Sequence, residues 1–314
     1  MELYEPVNYT IKLGGKNMRA LTCKYVQSLL NFNSPIINLL IDDLNKYHNA
    51  SLIIDDIQDK SEKRRGEPCA YKIFGTAMTI NSGYLQVFNV LNNVKNKYPK
   101  KFVVPFLHNF TEGLNDIHYG QGYDIYWSKN YIIPSVDDFL NMIDKKTGVF
   151  FKLIGNITLI VSEKNYTEDF KNTLLLLLQL MGRFFQIRDD YINLTDPNYW
   201  RSKTFCQDFD EKKVSYVFVK LKNSTNNTDL YAELIKRDKL SNIDKLYFYK
   251  KIYDNNILRD IYLELDTYKN KIIQLEKKIT NNDEITPFLK MFFNKLIYNA
   301  PIEYEKVKLF INIL

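Results

Sequence analysis

Apolar and polar positions follow one another along this chain with the spacing of helices. From about Ser34 onward, apolar residues return three and four positions apart, as at Leu39, Leu40, Leu44, Tyr47 and Leu52, which puts them on one helical face. Alternation with the period of a strand is scarce. The pattern predicts helices over 17–30, 34–59, 68–74, 76–97, 100–122, 135–160, 166–194, 206–222, 226–236, 241–254, 256–279 and 283–296. Tyr98-Pro99, the stretch from Tyr131 to Ser135, and Thr195-Asp196-Pro197 supply turns between them. We therefore expect an all-α, single-domain bundle of ten or more helices over residues 1–314. Two segments, around 48–54 and 174–187, are apolar nearly all round, and such helices belong in the middle of a bundle. Each runs directly into a pair of aspartates.

The first cluster is Asp55-Asp56-Ile57-Gln58-Asp59. Residues four apart share a helical face, so Asp55 and Asp59 project together. Two carboxylates there repel, and burying them uncompensated is costly. A divalent cation removes both difficulties, and carboxylate, water and phosphate oxygens are what Mg²⁺ prefers. The second cluster is Asp189-Asp190-Tyr191-Ile192-Asn193, where Asp189 and Asn193 share a face. One acidic helix end is ordinarily just solvated. Two, each after a core-grade helix, predict clusters that face each other across a cleft.

Basic residues stand where a metal-bound diphosphate needs them: Arg64-Arg65 before Gly66, Lys146-Thr147 in mid-chain, and Lys203 and Lys213 after the second cluster. Arginine offers phosphate a bidentate fork and lysine a point charge. Each alone reads as a surface charge; their joint placement carries the argument.

Composition narrows the field further. Glycine (11) and proline (9) are scarce, which favours long helices and short connections. The net charge of +6 is spread along the chain, without the basic stripe and motif of a nucleic-acid binder. Cys23, Cys69 and Cys206 are far apart and lack metal-ligand spacing, as expected of free thiols in a reducing compartment. Residues 1–10 carry two glutamates and no apolar core, so neither signal nor transit peptide is expected. The apolar run at Leu174–Leu178 is broken by Gln179 and Arg183, too short for a membrane span. A cytoplasmic location is the expectation.

The string from His48 to Asp59, followed by Arg64-Arg65-Gly66, resembles the first aspartate-rich motif of trans-isoprenyl diphosphate synthases. Further stretches agree in order: Gly15-Lys16-Asn17-Met18-Arg19, Gly120 to Trp127, Lys146-Thr147-Gly148, and Phe185 to Asn193. The stretch from Lys203 to Asp208 is similar to the eukaryotic geranylgeranyl diphosphate synthase branch. The resemblance runs from about residue 5 to 300 and implies helices around a central cavity, the isoprenoid synthase fold. It implies three Mg²⁺ ions held by Asp55, Asp59 and Asp189 on an allylic diphosphate. That substrate would be gripped by Arg64, Lys146, Lys203 and Lys213, with Gln186 and Thr147 beside the allylic cation. Lys16, Arg19, His48 and Arg65 would bind the second substrate, isopentenyl diphosphate. Asn193 stands where the fuller second motif has an aspartate, and no ligand role is assigned to it. Lys212 occupies a position usually glycine and Val217 one usually proline, which leaves open whether Lys212 or Lys213 reaches the diphosphate.

The implied reaction ionises an allylic diphosphate (dimethylallyl, geranyl or farnesyl) and adds isopentenyl diphosphate head to tail. Ser51 and Ala50, four and five positions before Asp55, are small. In the family, bulky residues there close the pocket at fifteen carbons, so a longer product, geranylgeranyl diphosphate, is expected. The resemblance places the pocket floor near Val87, Phe88 and His118. It also implies a homodimer or a higher assembly of dimers. Two rival readings are a terpene synthase on the same scaffold and a catalytically inactive regulatory subunit. Retention of Lys16, Arg19, His48 and Arg65 argues against the first, and retention of all three aspartates in the first cluster against the second.

Overall fold

A computed structural model describes residues 2–15, 17–202, 204–224 and 229–313. Lys16 and Lys203 lie outside the described residues. The chain is all-α: among the described residues the sole sheet is a two-residue antiparallel ladder, Lys63–Arg64 against Glu67–Pro68. The residues group into two compact units. One comprises Met1–Asp116, Val149–Gln179 and Leu275–Lys295, the other Ile117–Gly148, Leu180–Gln274 and Leu296–Leu314.

The first unit is organised on the Ile36–Gln58 helix, which packs along the Thr76–Lys97 helix. Leu40, Leu44, Ala50, Ile53, Val90 and Val94 are fully buried at and around this seam, each larger side chain contributing about 1.5–3 kcal/mol. Gly83 lets the two helices meet. A β-carbon there would lie 3.0 Å from the Ile54 side chain. Buried Asp43 ties the same pair of elements together, accepting from Asn93 at 2.8 Å and from the Tyr98 hydroxyl at 2.9 Å. The Met18–Leu29 helix packs on Val149–Ser162.

The second unit is organised on the C-terminal half of the Glu168–Thr195 helix, whose Met181, Phe184, Ile187 and Tyr191 are fully buried. In the same unit Val136–Ile143 packs on Tyr216–Ser224, and Asn242–Asp254 on Tyr304–Ile313.

Most predicted helices are found within a few residues of their expected ends, and the departures have physical causes. The helix expected over 100–122 continues to Asn130. The one expected over 135–160 begins after the Ser135 N-cap but carries a π turn at Asp144–Gly148 before resuming at Val149. The one expected over 206–222 is two, Gln207–Asp210 and Tyr216–Ser224, because Lys212 between them is left-handed (φ 52°). Glu5–Lys12, Pro197–Ser202 and Tyr304–Ile313 were not expected. No helix among the described residues is long and apolar enough to cross a membrane.

Candidate active site

The first aspartate cluster lies in the first unit. The Asp59 N–H donates to the Asp55 carbonyl at 2.9 Å, so the helical turn persists to Asp59 and the two carboxylates stand one turn apart on one face. Asp56 points elsewhere. It is 1% exposed and ion-paired with Arg64, whose Nε lies 2.9 Å from its Oδ1. Arg64 also reaches Asp55 at 3.3 Å. Burial drives the Asp56 carboxyl above its usual range, with Asp55 adding to the rise and the Arg64 charge opposing it. The little ladder turns through Arg65 (φ 57°) and Gly66 (φ 89°), and this reversal lays Arg64 back over the helix end.

Arg65, by contrast, reaches the N-terminal helix and donates to the Thr10 carbonyl at 3.1 Å. Gly15 makes room for it, since a β-carbon there would fall 2.8 Å from the guanidinium. Arg19 and His48 share a floor. The Arg19 guanidinium lies 5.7 Å from the centre of the Phe150 ring, and His48 meets that ring edge-on at 5.4 Å. Among the described residues, neither buried Arg19 Nε nor buried His48 Nδ1 has a hydrogen-bond partner. Burial, and then the charges of Arg19, Arg64 and Arg65, hold His48 well below its usual range, so it is neutral near pH 7. Burial and Arg65 likewise loosen Arg19's grip on its proton, although a guanidinium stays charged. A guanidinium and an imidazole with unmet nitrogens, near a second guanidinium, are the electrostatic complement of an anion.

The second cluster lies in the second unit. Asp190 is 1% exposed and accepts from Gln186 Nε2 at 3.0 Å, Lys213 Nζ at 3.3 Å and the Tyr216 N–H at 2.8 Å. The last of these caps the Tyr216–Ser224 helix. Asp189, its neighbour, is partly exposed. Two other residues of the motif hold the chain behind it: Arg188 donates to the Ile297 carbonyl at 2.6 Å and the Tyr191 hydroxyl to that of Asn299 at 2.7 Å. Asn193 is committed too. Its amide donates to Asp208 Oδ1 at 2.8 Å, and its carbonyl accepts from Trp200 Nε1 at 2.8 Å.

The structure separates the two lysines that the sequence left open. Lys212 turns to the Ile235 carbonyl at 3.1 Å, while Lys213 points to Asp190. Burial works against the Lys213 charge, but Asp190, Asp208, Asp124 and Asp189 outweigh it and raise its pKa well above the usual value. In the same unit, Lys146 pairs with buried Asp124 at 2.7 Å, and the Thr147 hydroxyl donates to Gln186 Oε1 at 2.8 Å. Of the residues assigned to the chain-length pocket, Ala50 is fully buried and the Ser51 hydroxyl donates to the His48 carbonyl at 2.8 Å. Val87 is partly buried, Phe88 is 61% exposed and His118 is exposed.

Among the described residues, no three acidic, histidine or cysteine side chains stand close enough to hold a metal by themselves. Mg²⁺ does not require such a cage, because it is usually held by one or two carboxylates with water and substrate phosphates. Asp55 and Asp59, hard oxygen donors one turn apart at a helix end, fit that demand.

Comparison with known proteins decides the family. The polyprenyl synthetase family model matches residues 1–252. This chain belongs to that family. The trans-isoprenyl diphosphate synthase motifs are thus accounted for, and the family's activity is prenyl transfer. A geranylgeranyl pyrophosphate synthase of Aspergillus flavus is 37% identical over 242 residues, covering 76% of this chain and 68% of that one. Another from Dictyostelium discoideum is 29% identical over 296 residues, 94% of each chain. Several other curated relatives are terpene synthases, of whose length the chain spans about a third. Among solved structures, a geranylgeranyl pyrophosphate synthetase from Pyrococcus horikoshii superposes with a TM-score of 0.80 at 20% identity, over 95% of this chain and 90% of that one, which shows the fold.

Three further carboxylates have structural partners at these sites: Asp56, Asp190 and Asp124. Asp124 stands among apolar and aromatic residues in Gly120 to Trp127, and a carboxylate on an apolar-flanked helix is itself a signal that a cation must meet it.

Proposed function

We propose that the chain condenses isopentenyl diphosphate with an allylic diphosphate to give geranylgeranyl diphosphate. The observation that carries this reading is the group formed by Arg19, His48 and Arg65, with unmet buried nitrogens on Arg19 and His48, in the same unit as Asp55 and Asp59. An enzyme that only ionises one prenyl diphosphate needs the acidic cluster; a second anion site of this kind serves a second diphosphate. The names of the Aspergillus and Dictyostelium relatives support the same substrate class.

In this reading Asp55, Asp59 and Asp189 would hold three Mg²⁺ ions, and Arg64, Lys146, Lys203 and Lys213 would hold the allylic diphosphate. Magnesium, when bound, supplies Lewis-acid stabilisation of the charge developing on the leaving diphosphate. Arg64, already oriented by Asp56, supplies fixed positive charge to the same oxygens. Arg19, His48, Arg65 and Lys16 hold isopentenyl diphosphate, fixing its double bond beside the allylic carbon. Thr147 and Gln186, hydrogen-bonded to each other, present oxygen dipoles near the allylic cation. Water must be kept from that cation, because it would quench it to an alcohol. A pocket bounded by small Ala50 and Ser51 and by Val87 would admit a twenty-carbon chain. The working unit is read as a cytoplasmic homodimer.

Purified protein given farnesyl diphosphate, with and without isopentenyl diphosphate and Mg²⁺, tests the proposal by product chromatography. A twenty-carbon diphosphate that forms only with all three supports it. Hydrocarbon or alcohol formed without isopentenyl diphosphate would instead establish the terpene synthase that the longer relatives bring to mind. No turnover at all would favour the inactive subunit.

A further inference from the structure

The π turn at Asp144–Gly148 carries the two residues assigned to the allylic substrate, Lys146 and Thr147. Such turns insert one residue into a helix and recur at functional sites. Left alone, this segment would relax to the regular register and rotate Lys146 by about 100° around the helix axis. Something must hold it.

Four contacts do so, all within the second unit. On one side Gly120 admits the turn's backbone: a β-carbon there would stand 2.5 Å from the Lys146 nitrogen and 2.9 Å from its Cα. Asp124, one helical turn further on, takes the Lys146 ammonium. On the other side the Glu168–Thr195 helix supplies Gln186 to Thr147 and, one turn earlier, Arg183 to Asp144. The Arg183 pair is a two-pronged fork, with Nε to Oδ1 at 2.8 Å and Nη2 to Oδ2 at 2.6 Å. Its side chains are 23% and 18% exposed, and Tyr268 lies beside the guanidinium.

We propose that the Asp144–Arg183 ion pair is a positioning device that fixes the π turn, and so sets Lys146 and Thr147 for the allylic diphosphate. Planar fork geometry fixes orientation as well as distance, which a single hydrogen bond does not. Arg183 otherwise sits in an apolar stretch, flanked by buried Leu180, Met181, Phe184 and Ile187, where an unpaired charge is costly. The pair touches no substrate; it acts through the turn.

This inference rests on the reading of Lys146 as an allylic-diphosphate ligand, so Lys146→Ala is measured first. If that variant leaves the KM for farnesyl diphosphate unmoved, the reading itself fails. With a rise established, Asp144→Asn, Arg183→Met and Arg183→Lys are compared by steady-state kinetics, varying each substrate in turn. Thermal unfolding is followed on the same samples. The expected result is a farnesyl diphosphate KM raised by about 10–100-fold, the scale for residues that orient a ligand, with the isopentenyl diphosphate KM unchanged. The lysine variant, which keeps charge but loses the fork, should resemble Arg183→Met. Exchange of the partners, Asp144→Arg with Arg183→Asp, should recover part of the loss. The proposal is overturned if both KM values move together, if activity loss merely follows unfolding temperature, or if Arg183→Lys behaves as the unaltered protein.

Discussion

The two aspartate pairs, Asp55-Asp56 and Asp189-Asp190, lie in the last turns of core-grade helices in different units, yet each divides its carboxylates in the same manner. In both, the second aspartate is 1% exposed and held by the protein, while the first stays accessible. The partners differ. Asp56 is met by a single strong fork from Arg64, a residue itself assigned to the substrate. Asp190 is shared among Gln186, Lys213 and a helix N-terminus. Adjacent identical residues thus do different work, because neighbours on a helix are about 100° apart and face different surroundings. At the first pair the buried carboxylate orients Arg64, the cation proposed for the allylic diphosphate; at the second it knits the backbone.

The sharpest way to break this comparison is to remove the accessible members. Asp55→Asn and Asp189→Asn should each lower kcat by roughly 10³-fold, several kcal/mol of lost charge stabilisation, while thermal unfolding stays put. An Asp189→Asn enzyme with ordinary turnover would remove the second cluster from the chemistry. The lysines come next. Lys213→Met should cost on the order of 10²-fold in kcat/KM, and Lys212→Met should cost little, since it faces the Ile235 carbonyl. Equal effects would show that the left-handed turn at Lys212 does not sort them.

Smaller effects sharpen the account. Asp190→Ala should cost about 1.5–3 kcal/mol of stability, the range for hydrogen bonds to a charged group, read in denaturant melts. Asp56→Ala should cost less, because Arg64 retains Asp55. The smallest effect is on pH. His48 is neutral near pH 7 because burial and three arginines depress its pKa. A bound diphosphate offsets those charges and raises it, so binding takes up a proton. The KM for isopentenyl diphosphate should therefore fall as pH drops from about 8 to 6, and His48→Gln should flatten that slope. The same shift predicts that the free protein loses stability below about pH 6.5, where the unfolded imidazole charges first.

Much of this was legible in residue order. Long amphipathic repeats with few glycines fixed the helical class, and the paired spacing of Asp55 and Asp59 is a property of one helix, readable locally. What escaped depended on contacts between distant segments. The π turn at 144–148 is set by Gly120 and Arg183, remote in sequence, so periodicity reads one straight helix there. Lys212 adopts a conformation that sequence assigns to glycine, because Lys212 is held by its neighbours rather than by propensity. Arg183 announced itself as a break in an apolar run, yet only the fold names Asp144 as its partner. The Glu5–Lys12 helix escapes for a local reason, being too short to show a repeat.

The most direct test of the central division of labour uses two variants and two readouts on the same samples. Isopentenyl incorporation and unfolding temperature are measured for Asp55→Asn and Asp56→Asn. The account predicts that Asp55→Asn abolishes Mg²⁺-dependent incorporation at an unchanged unfolding temperature, whereas Asp56→Asn lowers the unfolding temperature and keeps measurable incorporation. An Asp55→Asn protein that keeps its turnover, or one whose loss is matched by equal unfolding, contradicts it.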